Sequence, residues 1–194
     1  WISPGWRQTV YTRDYGSDAR FRRECLAEYA EHPWFRTVGI DGSYYAPAKA
    51  EQLQRYAAQL PEGFRWVSKV WQEITIARFP HHERYRDRAG RDNEHFLDPR
   101  LFREAVLPAF DAPGVAGHAG PFVLQLQPGV LDSVSAEAFC GMLDRFLAAV
   151  TDEWRYAVEI RDPALLTTDY FRVLNEHGAT HVFNHWSWMP PLLE

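Results

Sequence analysis

In the stretch Ala157-Val158-Glu159-Ile160-Arg161-Asp162-Pro163, Glu159 and Arg161 alternate, so wherever it is extended a carboxylate and a guanidinium share one face. The stretch starts apolar and ends in charged residues and a proline. That is the pattern of a buried parallel strand whose carboxyl end opens into a site. Other strand-like runs end in similar groups: Asp41 and Tyr45 close and follow 37–41, Lys69 closes 64–70, Gln125 lies in 122–127, and His185 and Trp186 end the run from Thr180. Partial burial lowers a lysine pKa and raises a carboxyl pKa, which suits Lys69 and Glu159 to proton transfer in a hydrolase, lyase or isomerase. Arg161 suits a phosphate or carboxylate, because its planar fork binds such groups bidentately. Gln125, Asp41, Tyr45, His185 and Trp186 would complete a substrate site. Each also has a structural reading: Lys69 salt-bridged to Glu159, Glu159 to Arg161, Arg161 to Asp162, or Gln125 satisfying backbone groups. Asp41, Glu159 and His185 form an oxygen and nitrogen set that a divalent ion accepts, yet no His-Glu-x-x-His or paired-cysteine spacing is present, and no cofactor is expected.

The elements that must position these groups alternate between strand and helix. Ser17-Asp18 predicts a capped helix over 19–31, Pro47 precedes a helix to about Leu60, and Asp98-Pro99 opens another reaching Phe110. Ser133 or Ser135 caps a helix to Val150, and Gly178 closes one over 168–177. The strands are short apolar runs without a polar face, as parallel strands covered by helices are. No dinucleotide glycine fingerprint or Gly-Lys phosphate loop occurs. A (β/α) barrel fits, with five strands visible and Trp1 as the tail of a sixth, where a closed barrel has about eight. In a barrel the strand ends converge on one mouth. The segment 71–98, rich in Arg and His, reads as a lid or as disordered, with His81 and His82 solvated.

The chain has 194 residues, 46% hydrophobic and 24% charged, without a compositional break, so one domain over 1–194 is expected. A net charge of −5 argues against a mainly electrostatic grip on nucleic acid, although the loop arginines and the many Trp residues keep a nucleic-acid groove conceivable. No apolar run approaches the roughly 18 residues of a membrane span, and no signal segment is seen, so no membrane partner and a cytoplasmic location are expected. Cys25 and Cys140 fall in predicted helices as buried thiols, not a disulfide.

Four motifs, taken in order and spacing, resemble the YecE-like family (domain of unknown function 72). They are Thr37-Val38-Gly39-Ile40-Asp41-Gly42-Ser43-Tyr44-Tyr45, Pro61-Glu62-Gly63-Phe64-Arg65-Trp66-Val67-Ser68-Lys69, Gly120-Pro121-Phe122-Val123-Leu124-Gln125-Leu126-Gln127-Pro128, and the 157–163 stretch. The tail Asn184-His185-Trp186-Ser187-Trp188-Met189-Pro190 is similar to one branch of it. The resemblance implies a TIM barrel, here truncated to about six strands and lacking the start of strand one and strands seven and eight. The family pattern has Glu at Gly39, Asn at Asp41 and His at Ile76, so a site using that Glu or His is altered here. The function implied is an enzyme acting on a small anionic, phosphorylated or polyhydroxylated substrate at the mouth; the alternative is a non-catalytic barrel that binds nucleic acid or a ligand.

Overall fold

The computed structural model describes residues 2–150 and 153–191. Five strands form one parallel sheet in strict chain order: β1 (Thr37–Ile40), β2 (Arg65–Lys69), β3 (Ala119–Gln125), β4 (Tyr156–Glu159) and β5 (Thr180–His181). The helices are α1 (Asp18–Glu31), α2 (Gly42–Tyr45), α3 (Ala50–Ala57), α4 (Gln72–Thr75), α5 (Pro99–Ala105), α6 (Ala136–Val150) and α7 (Thr168–Glu176). Parallel neighbours require crossovers, and right-handed crossovers in an unreversed strand order put the crossover helices on one face of the sheet. Among the described residues the sheet is open, with β1 and β5 at its edges. The sixth strand expected at Trp1 lies outside the described residues.

Local chemistry accounts for the helix boundaries. Ser17 accepts from the Arg20 amide at the start of α1, and Asp98 accepts from the Arg100 and Leu101 amides with Pro99 in the first turn of α5. Ser135, not Ser133, serves α6 by accepting from the Ala138 amide; the Ser133 hydroxyl donates to Asp92 at 2.7 Å instead. After α7, Gly178 takes the left-handed conformation at φ +61°, as a residue without a Cβ does readily.

Strand alternation divides the core from the site. Val38, Ile40, Trp66, Phe122, Leu124, Tyr156 and Val158 join the main core with α1, α5, α6 and α7, where Phe122 meets Phe102 edge-on at 5.3 Å. Gly39, Val67, Lys69, Val123, Gln125, Ala157 and Glu159 alternate with these and take the other face, whereas His181 of β5 stands in the row of Val158 and packs against Tyr170 of α7. The register pairs Lys69 with Val123, Val123 with Ala157, and Gln125 with Glu159, so these stand in adjacent rows. Gly120 is required where β2 and β3 shift register, since a Cβ there would come within 2.3 Å of the Trp66 carbonyl oxygen.

One expected strand end shifts, and one open alternative is decided. The last strand ends at His181 rather than at 185, because only β4 flanks it: the Val182 amide still donates to Val158, but Asn184 turns its side-chain nitrogen to the Ile160 carbonyl at 2.7 Å. The segment after α4 is an ordered flap, not a disordered connection. It carries a small core of its own from Ile76, Phe79 and Tyr85, separate from the main one. Buried Asn93 ties its ends together by donating to the carbonyls of Glu73 and Ile76, at 2.6 and 2.8 Å. Cys25 and Cys140 are buried free thiols, and among the described residues no helix is long and apolar enough to cross a membrane.

Candidate functional site at the carboxyl ends of the strands

The turn after β1 is fastened to β2. The Ser43 hydroxyl lies 2.8 Å from the Ile40 carbonyl and 2.6 Å from that of Lys69. This brings Asp41 beside Lys69, and Lys69 Nζ contacts Asp41 Oδ1 at 2.8 Å with the carboxylate largely exposed. α2 then buries Tyr44 and leaves Tyr45 exposed. Burial pushes the Tyr44 phenol pKa up, against the opposing effect of Gln127, whose Nε2 donates to the Tyr44 oxygen at 2.7 Å. The expected Lys69–Glu159 salt bridge is absent, because β3 stands between their strands and each finds a nearer partner.

Glu159 takes Arg161 instead. The Arg161 Nε donates to Glu159 Oε1 at 2.8 Å, and the two side chains are only 17% and 11% exposed. Asp162, weighed as the partner of Arg161, accepts from the Ala164 amide and starts a 3-10 turn. The chain beyond β5 folds back over Arg161: its guanidinium lies 4.8 Å from the Trp186 ring, Trp186 stacks on Trp188 at 4.9 Å, and Trp188 Nε1 donates to the Arg161 carbonyl at 3.0 Å. Gln125, between the two ion pairs, is buried, and its Oε1 has no hydrogen-bond partner. An unsatisfied buried acceptor costs about 1–3 kcal/mol, so it is a position where a ligand donor gains.

The flap completes the mouth. Arg84 stands on its 3-10 turn (Glu83–Arg88) and lies over the rings of Tyr45 and Tyr85 at 5.5 and 5.0 Å. A cavity of about 300 Å³ results, lined by Asp41, Tyr44, Tyr45, Lys69, Arg84, Gln125, Gln127 and Arg161. Larger cavities of about 470 and 630 Å³ lie beside β1 and the start of α3, and at the opposite strand ends around Arg65 and Trp154. The mouth cavity is smaller, yet it alone of the three gathers the sequence-predicted residues from β2, β3 and the 157–163 stretch.

The DUF72 model, described as a protein of unknown function, matches residues 1–190. The chain belongs to the DUF72 family. This bears out the YecE-like resemblance, since DUF72 is the YecE-like family. Two crystal structures of a DUF72 family protein from Enterococcus faecalis share 18% identity with it, at TM-scores of 0.58 and 0.57; they cover 80% and 83% of this chain and 52% and 58% of their own. A DUF72 family protein from Thermotoga maritima shares 17% identity at a TM-score of 0.55, over 91% of this chain and 58% of its own. The chain thus spans little more than half the length of these structures. Among curated proteins no relative matches the sequence.

Within this DUF72 chain the sequence-predicted residues separate into three groups. Asp41, Tyr45, Lys69, Gln125 and Arg161 line the cavity. Glu159 and Trp186 do not line it but hold Arg161 in place. His185 is exposed and outside the lining, on a segment that has left the strand. Asp41, Glu159 and His185 do not converge as a metal set, and among the described residues no three His, Cys, Asp or Glu side chains do. Three lining residues were missed. Gln127 follows Gln125 by the two-residue period and Tyr44 sits inside a quoted motif, so both had a signal in the sequence. Arg84 had none beyond the arginine density of the loop, where Arg78 and Arg88 pair instead with Asp92 and Glu73.

Proposed function

We propose that the protein is an enzyme that binds a small anionic or polyhydroxylated substrate at the carboxyl-end mouth of a (β/α) barrel, of which the five strands are an arc. Sequential strand order with the helical core on one face supports the barrel reading, since a doubly wound sheet reverses its order. The observation that carries the function is Gln125, which lines a cavity shared with Lys69 and Arg161 and whose buried Oε1 has no hydrogen-bond partner among the described residues. Lys69, in the cavity wall, is the proposed proton-transfer group, and Glu159, which does not line the cavity, serves the reaction by positioning Arg161. Two buried free thiols suit a reducing compartment, and we place the protein in the cytoplasm.

An enzyme that abstracts a carbon-bound proton exchanges it with solvent, and one that hydrolyses or eliminates gives a new product. Monosaccharides and their phosphates incubated with the protein in D₂O and followed by NMR should show conversion or deuterium uptake. Lys69→Ala and Glu159→Gln should abolish it while circular dichroism shows a folded chain. Neither exchange nor conversion by the wild type, or unchanged turnover in both variants, would defeat the assignment.

A further inference from the structure

The charges around the mouth do not cancel. Lys69 is matched by Asp41 and Arg161 by Glu159, whereas Arg84, among the described residues, has no carboxylate within ion-pair distance. Its guanidinium is seated between two tyrosine rings. Tyr85 is itself held, buried in the flap core and donating to Gln72 Oε1 at 3.1 Å. The guanidinium also hydrogen-bonds the Tyr85 side chain, and its remaining N–H groups stay available for in-plane hydrogen bonds to an oxyanion. The opposite requirement lies across the cavity. Gln125 Oε1 is an acceptor and needs a donor, which a phosphate dianion does not supply and a hydroxyl does.

We propose that Arg84 is an anion clamp presented by the flap, and that the ligand is a phosphomonoester of a polyhydroxylated molecule with its hydroxyls towards Gln125. This rests on the mouth cavity being the site. The ligand has two ends because the cavity does: a surplus cation at the flap side and an orphaned acceptor on β3. The volume, about 300 Å³, is at the small end of ligand cavities and has room for a monosaccharide phosphate.

The test is calorimetric titration of the full chain with glucose 6-phosphate, glucuronate and glucose, for the wild type, Arg84→Ala, Arg84→Lys and Gln125→Leu. Arg84→Ala should weaken glucose 6-phosphate at least about tenfold, the scale of a charge-assisted hydrogen bond, and leave glucose unchanged. Arg84→Lys should recover part of the loss, since it keeps the charge without the fork. Gln125→Leu should weaken glucose 6-phosphate and glucose alike. Glucuronate binding as tightly as glucose 6-phosphate would refute the phosphate assignment. Equal binding of glucose 6-phosphate by wild type and Arg84→Ala would overturn the clamp, while loss of glucose in Gln125→Leu would leave the mouth site standing. No binding of any sugar by the wild type up to roughly 10 mM, a very weak affinity, would overturn both.

Discussion

Two ion pairs flank the cavity, and their burial predicts unequal energetic weight. Glu159 and Arg161 are 11% and 17% exposed; Asp41 is 72% exposed, so water and salt screen its contact with Lys69. Removing one partner of a buried pair leaves an uncompensated charge and costs about 3–5 kcal/mol, which the residual exposure and the hydrogen bonding of an amide reduce to about 2–4 for Glu159→Gln. Asp41→Asn should cost about 0–1 kcal/mol, as exposed pairs do. For a chain of this size the first corresponds to a melting temperature lower by roughly 4–16 °C and the second to a fall of at most about 4 °C. Urea unfolding of Glu159→Gln, Arg161→Met and the double variant gives the coupling directly, expected at about 1.5 kcal/mol or more. A coupling below about 0.5 kcal/mol, or an Asp41→Asn penalty equal to that of Glu159→Gln, would refute the burial argument.

Glu28 anchors the segment before α1: it accepts from the Thr12 and Arg13 amides and the Thr12 hydroxyl through Oε1, and from the Tyr15 hydroxyl at 2.8 Å through Oε2. Burial alone would raise its pKa, but these donors outweigh it and hold the carboxyl below its usual value of 4.5. Its contribution is therefore present above about pH 4.5 and is lost as pH falls through the lower folded value; Glu28→Ala should cost about 2–4 kcal/mol at pH 7 and flatten the acid limb of a stability profile. Burial lowers the pKa of His181, whose Nδ1 lies 2.8 Å from the Tyr170 hydroxyl. Stability should fall as pH drops below about 6.5, the unfolded value, and thermal melts of His181→Leu should lack that decline. Gly120→Ala should destabilise by more than about 2 kcal/mol in a denaturant titration, because its Cβ collides with backbone and not with a movable side chain.

Much of the site was legible because strand alternation is local. Gln125 was expected at a strand end, and it reaches the cavity because it alternates with the core residue Leu124 at the carboxyl end of β3. Arg161 and Glu159, two apart on one extended stretch, meet for the same reason. His185 misled because an edge strand with a partner on one side stops sooner than its apolar pattern suggests. The 71–98 segment stayed open between a lid and disorder because its core of Ile76, Phe79 and Tyr85 is assembled from non-periodic positions.

Local pattern was enough for the order of strands and helices, most helix caps, and the residues at the carboxyl ends of the first four strands, since propensity, capping and two-residue periodicity act over a few residues. Tertiary structure alone decided who meets whom. Lys69 meets Asp41 because β1 and β2 pair in one register and Ser43 clamps the turn between them. Arg84 reaches Tyr45 because the flap folds as a body of its own, and Trp186 covers Arg161 because the chain turns back after β5. Those contacts join residues some 25 to 40 positions apart, and no local pattern encodes such a distance.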